Sequence, residues 1–149
     1  MKTFANPQDL TEILTRLVRV QPDSPRQWGK MTSHQMLCHL SDAFRMVSGE
    51  RATKSRETWF AHTVMKWLAL KAPMQWPHGI KTGPEADQEI GGTKPVEFAR
   101  DRAECEALIH RFVAGRQLTR HPMFGAMSYD EWMRWGYLHC DHHLRQFGV

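Results

Sequence analysis

The chain has 149 residues, 41% of them hydrophobic, and its 20 basic and 16 acidic residues leave a formal charge of +4. That length supports one compact core, so a single domain over residues 1–149 is expected. The scattered charges offer no nucleic-acid arm, and no run of about 18 apolar residues offers a membrane span.

The opening MKTFANPQDL lacks the apolar centre of a signal peptide, and the three cysteines, Cys38, Cys105 and Cys140, fall inside helical patterns. A cytoplasmic protein with reduced thiols is expected. Asn6 as a cap, with Pro7 behind it, starts a first helix carrying Leu10, Ile13, Leu14 and Leu17 and ending near Val20. Thr32 and Gln35 have the capping-box spacing and open a second helix, with Met36, His39, Leu40, Ala43, Phe44 and Val47, which Gly49 stops. A shorter third helix takes Trp59 to Leu70 and ends before Pro73. Residues 71–95 hold four prolines and four glycines, too many for regular structure, and predict a lid or a disordered loop. From Pro95 the stripe Val96, Phe98, Ala99, Ala103, Leu108, Ile109, Phe112 and Val113 gives a fourth helix before Gly115. After the turn His121-Pro122-Met123-Phe124-Gly125, Ser128 and Glu131 form a second capping box and open a fifth. No segment alternates like a strand, so an all-α helical bundle is expected.

The last helix packs three histidines into five residues. At about 100° per residue, His139 and His143 lie about 40° apart, close enough to aim at one ion. Trp132, Trp135, His139, His142, His143 and Gln146 share a face. On the second helix His39 sits in a stripe with Met36, Ala43 and Met46, where an unpaired ring nitrogen would cost about 1–3 kcal/mol. One histidine from the second helix and a His-x-x-x-His pair from the last would give a three-nitrogen site with an open position, lined by Met36, Trp132, Trp135 and Gln146. His142 is an alternative to His143 or a neighbour at the rim. The competing reading is a set of core histidines bonded to protein groups. His34 and Cys38, also four apart, are a rival pair on another face, whereas His62, His78, His110 and His121 have no second histidine at helical spacing and read as surface, turn or hydrogen-bonded residues.

The segment Met36-Leu37-Cys38-His39-Leu40-Ser41-Asp42 and the His139/His143 pair resemble the DinB/YfiT-like metalloenzyme superfamily. The turn at His121 to Gly125, Glu131-Trp132 and the stretch from His142 to Gly148 are similar to an uncharacterised branch of it. The resemblance spans nearly the whole chain. It implies a four-helix bundle, here with an extra short helix and a long Pro/Gly-rich loop. It also implies a divalent ion, nickel or zinc, on His39, His139 and His143. Its characterised members include thiol S-transferases and a thiol-dependent isomerase.

On that resemblance the expected activity is a transferase using a low-molecular-weight thiol as a metal-bound nucleophile. A hydrolase using water, whose pKa on zinc falls to about 7, is the alternative, as is a non-catalytic metal or small-ligand binder. Asp42 is the expected carboxylate behind a ligand histidine, and the loop around Trp76 and His78 the expected lid. Arg100, Arg102, Arg111, Arg116 and Arg120 alternate with acidic residues and read as a solvated face, so no nucleic-acid partner is expected. The six tryptophans suit a homodimer.

Overall fold

A computed structural model describes the chain except for residues 116, 117 and 119, so Arg116 lies outside the described residues. It is all-helical, and among the described residues the extended pairing is one isolated bridge, His121 with Gly125. Helix α1 spans Pro7–Arg19, α2 Ser33–Val47, α3 Lys66–Leu70, α4 Phe98–Ala114 and α5 Tyr129–Gln146. A π-helical turn, Ala61–Met65, leads into α3, and a 3₁₀ turn, Pro84–Ala86, interrupts the long loop.

The caps place these helices where the sequence signals do. The Asn6 side chain accepts from the Gln8 amide at 2.9 Å. The Thr32/Gln35 and Ser128/Glu131 boxes both close reciprocally, so each satisfies two amides that a helix start leaves unpaired. Helix α4 begins at Phe98 rather than at Pro95, because the Glu97 carboxylate takes the amides of Ala99 and Arg100 and so fixes the N-terminus itself.

The α2 helix packs along α4 and α5, while α1 covers α4 and α5 from the other side. Ile13 and Leu17, Met36, Leu37, Leu40 and Phe44, Leu108 and Ile109, and Met133 and Leu144 make one core. Phe4 enters it ahead of α1 and meets α5 where there is no side chain. A Cβ on Gly136 would lie 2.7 Å from Phe112 Cε1 and 2.8 Å from Phe4 Cδ2, so only glycine admits both rings. Met36, expected at the site, is 0% exposed in this core instead. It lies about 60° from His39 on the helix, enough to turn it away from the site.

A carboxylate of α2, Asp42, gathers much of the loop after α3 onto that helix. Asp42 is 0% exposed. It accepts from Thr93 N at 2.7 Å, Thr93 Oγ1 at 2.6 Å, Gln88 Nε2 at 3.1 Å, Arg51 Nη1 at 3.0 Å and Arg45 Nη1 at 3.2 Å. A buried carboxylate is tolerated when it is this fully bonded and paired. Residues 84–93 are therefore anchored, and the Pro84–Ala86 turn is held against α2. Trp59, Phe60 and Trp67, beside the π-helical turn, remain exposed. No helix of the described residues is long and apolar enough to cross a membrane.

Candidate metal centre

Helices α2 and α5 bring His39, His139 and His143 together with one ring nitrogen of each inside a 4.8 Å group. Their ring centroids lie 5.3 Å apart for His39 and His139, 4.6 Å for His39 and His143, and 5.0 Å for His139 and His143. His39 Nε2 and His139 Nε2 are 3.2 Å apart.

Two tautomers are set by neighbours. His39 Nδ1–H donates to the Ala86 carbonyl at 2.9 Å, leaving its Nε2 as a lone pair. The Gln146 amide nitrogen donates to the Trp28 carbonyl at 2.9 Å, which turns Oε1 toward His143 Nδ1 at 3.0 Å. His143 Nδ1–H therefore donates, and its Nε2 is also a lone pair. Gly29 makes room for this amide: its φ is +80°, and a Cβ there would lie 2.5 Å from Gln146 Nε2. His139 has no such partner, because its Nδ1 is buried and unbonded.

Protonation does not fill the gap between these nitrogens. Burial pushes the pKa of all three imidazoles down; repulsion from neighbouring imidazoles adds to it for His139 and His143, while the Ala86 carbonyl and Asp42 oppose it at His39. Three neutral rings then face one another with at most one bridging proton. A cation satisfies them all at once. A tetrahedral ion with ligand bonds of about 2.05 Å separates adjacent nitrogens by about 3.3 Å, close to the His39–His139 spacing. The donor set fits a divalent metal.

The three imidazoles form part of the wall of a cavity of about 410 Å³. Met46, Met65, Leu68, Met74, Ile80 and Met123 are among its apolar lining, with Trp76 and Trp135 beside the His139 ring. Trp76 donates from Nε1 to the Ala69 carbonyl at 2.8 Å and lies 5.9 Å from the His139 ring and 6.1 Å from that of His142. His78 stacks on Trp28 at 3.9 Å, outside the ligand group.

The remaining expectations divide. His142 lines the cavity and contacts Trp28, Trp76 and His78, but it is outside the three-nitrogen group. Burial, with Arg145 and His78 beside it, pushes its pKa down to about 4. Trp135 lines the cavity, whereas Trp132 shares its angular face but packs on Phe112 and His121. Seven residues before His139 amount to about 10 Å along the axis, beyond the site. Asp42 does not bond to an imidazole; the Ala86 carbonyl and Gln146 orient the histidines instead. Gln146, expected as lining, is not on the cavity wall: it is buried behind His143, and its spacing of three from that residue is the signal for its part in orienting the ring. The Ala86 carbonyl has no sequence signal.

The rival pair gains a third member, Asp101. His34 Nε2 lies 2.7 Å from Asp101 Oδ2, to which Cys38 Sγ donates at 3.8 Å and the Val96 amide at 2.9 Å. Burial, then Asp101, pushes the Cys38 thiol up to about 12. This cluster bonds to itself. Arginines in and beyond α4 pair as well: Arg102 donates to the Val18 and Val20 carbonyls, Arg111 binds Glu50, and Arg120, after the helix, binds Glu57.

An all-helical chain with a buried three-histidine cluster that can hold a metal ion is the class these observations define. A family model described as a protein of unknown function, DUF1569, matches residues 4–148, and the chain belongs to that family. No curated protein and no solved structure matches it.

Proposed function

We propose that this chain is a divalent-metal-dependent transferase of the DinB/YfiT kind, a four-helix bundle of α1, α2, α4 and α5 that joins a small thiol to an apolar electrophile. The observation that carries this reading is the convergence of three neutral imidazole nitrogens on the wall of an apolar cavity. Nickel or zinc suits an all-imidazole set. Held by neutral ligands, such an ion keeps its full charge and lowers the pKa of a thiol or water that joins it.

The protein's own thiols do not compete for the role of nucleophile. Cys38, Cys105 and Cys140 are buried, and burial raises the pKa of each, so the thiol comes from outside. Ala86 and Gln146 hold His39 and His143 in their ligating tautomers, while Trp76 and Trp135 pack against the His139 ring. The methionine-rich wall accommodates a soft, apolar partner. Hydrolysis is less well served. Glu85, the carboxylate on the lining among the described residues, is bound to the Lys54 amide at 3.1 Å and to Arg56 at 3.2 Å, so it is not poised as a base.

Titrating cobalt-loaded protein with cysteine or glutathione tests the reading. A thiolate-to-cobalt absorption band that saturates, absent in His139→Ala, is expected. Tight cobalt binding with no such band for any small thiol would contradict the thiol role.

A further inference from the structure

His121 is the cavity residue whose chemistry the three-histidine reading leaves unused. Its ring lines the cavity, stacks on Phe124 at 4.5 Å and meets Trp135 edge-on at 5.5 Å; Trp135 in turn lies 4.9 Å from the His139 ring. The chain turns back on itself here, with His121 and Gly125 paired through both backbone groups at 2.8 and 2.9 Å. Within that turn the amides of Met123 and Phe124 both donate to His121 Nδ1, each at 3.1 Å. An acceptor of two amide hydrogens has no room for a proton of its own, so the neutral ring carries its hydrogen on Nε2. Among the described residues nothing accepts from that Nε2–H. Burial pushes the ring's pKa down to about 4, against the pull of Glu57, and the ring stays neutral.

A fixed, uncharged N–H donor on an apolar wall selects its ligand. A hydrogen bond there satisfies one acceptor atom, and the rest of the molecule must be content among methionine, leucine and isoleucine side chains. Apart from an ion held by the three histidines, which the chelated sample removes, a carboxylate would call for a cation beside His121. The two cationic residues on the lining, Arg56 and Lys81, are exposed, and Arg56 is bound to Glu85. We infer that the cavity takes a molecule with an apolar body and one uncharged carbonyl-type acceptor, and that the His121 Nε2–H binds that acceptor. This rests on the cavity being the substrate site, and it makes His121 a specificity-determining residue rather than a fourth ligand.

The test uses three probes of similar size: 4-phenyl-2-butanone, n-butylbenzene and 4-phenylbutanoate. Each is titrated calorimetrically into the full chain, as purified and after chelation. In His121→Asn the Asn oxygen takes over the turn's acceptor role, as Asx turns do, while the donor at the Nε2 position is lost. The ratio of ketone to butylbenzene affinity should fall about threefold to tenfold from wild type to His121→Asn, with butylbenzene itself unchanged within about twofold. His121→Gln, whose amide nitrogen reaches toward the Nε2 position, should recover part of the ratio. An unchanged ratio in His121→Asn overturns the inference, as does a loss confined to the carboxylate. If His121→Asn does not fold, the wild type decides: the His121 Nε2–H resonance should move with the ketone and not with butylbenzene, and no movement contradicts the role. Metal content of the same samples is read separately. Discrimination without metal binding would keep this inference and remove the transferase reading; metal binding without discrimination would do the reverse.

Discussion

Two polar clusters are buried along α2, three residues apart, and they are built on opposite principles. Around Asp42 the buried charge is fully bonded: two arginines, a threonine and a glutamine donate to one carboxylate, and the result is a clamp on residues 84–93, in which Gln88 Oε1 alone is left without a partner among the described residues. Around His39 the protein has placed three nitrogens with lowered proton affinity face to face, with at most one proton to share between them. The first arrangement holds the scaffold, and the second has the geometry to hold a cation. The His34–Cys38–Asp101 group has metal-ligating residue types too, but it resembles the Asp42 cluster in being closed by its own bonds. Residue type alone does not separate the two kinds; the fate of each lone pair and hydrogen does.

The contrast can be broken by removing one member from each cluster. Asp42→Ala takes the acceptor from the buried Thr93 amide and Gln88 Nε2 and one partner from each of two arginines, and it should cost about 3 kcal/mol in urea unfolding. A loss below about 1 kcal/mol would mean that the clamp is not structural. Gln146→Ala should lower metal affinity by about tenfold to a hundredfold by releasing the His143 ring, measured by competition with a chromogenic chelator. Removing the closed cluster should do neither. His34→Ala should cost about 1 kcal/mol of stability and leave metal affinity within about twofold, and a large loss of metal would reverse the ranking of the two clusters.

Acidity separates the regions as well. The folded histidines have pKa values below their ordinary 6.5, so the unfolded chain takes up protons that the metal-free folded protein refuses. Stability should therefore be fully present above pH 6.5 and fall as the pH drops below it. Asp101 has the opposite charge type: despite burial, the Val96 amide and His34 hold its pKa below 3.8. Its contribution is present above pH 3.8 and lost as pH falls through the folded value. Urea midpoints taken from pH 8 to pH 4 should decline first in the histidine window. His139→Ala should flatten that part of the profile.

Much of this arrangement was legible in the chain. Caps at Asn6, Thr32 and Ser128 fixed the helix starts, and the four-residue spacing of His139 and His143 with a histidine in the α2 stripe located the cluster. Periodicity gives an angle around a helix and little about depth or distance along it. That is why Trp132 and Met36, both within about 60° of a ligand histidine, fall outside the cavity. Contacts made by loop backbone were not legible, whether far away in sequence, as the Ala86 carbonyl on His39, or two and three residues on, as the amides that fix the His121 tautomer, because loops carry no periodic signal. Asp42 was read as a partner of the histidines because it is close in sequence. The loop that surrounds it decides otherwise.

The most direct test is metal content and affinity of the untagged protein beside the His39→Ala/His139→Ala double variant. One divalent ion per chain in the wild type, with affinity reduced at least about a hundredfold in a variant that still folds, is the result this account requires. A folded wild type that binds neither nickel nor zinc would contradict it and leave three core histidines beside an apolar pocket.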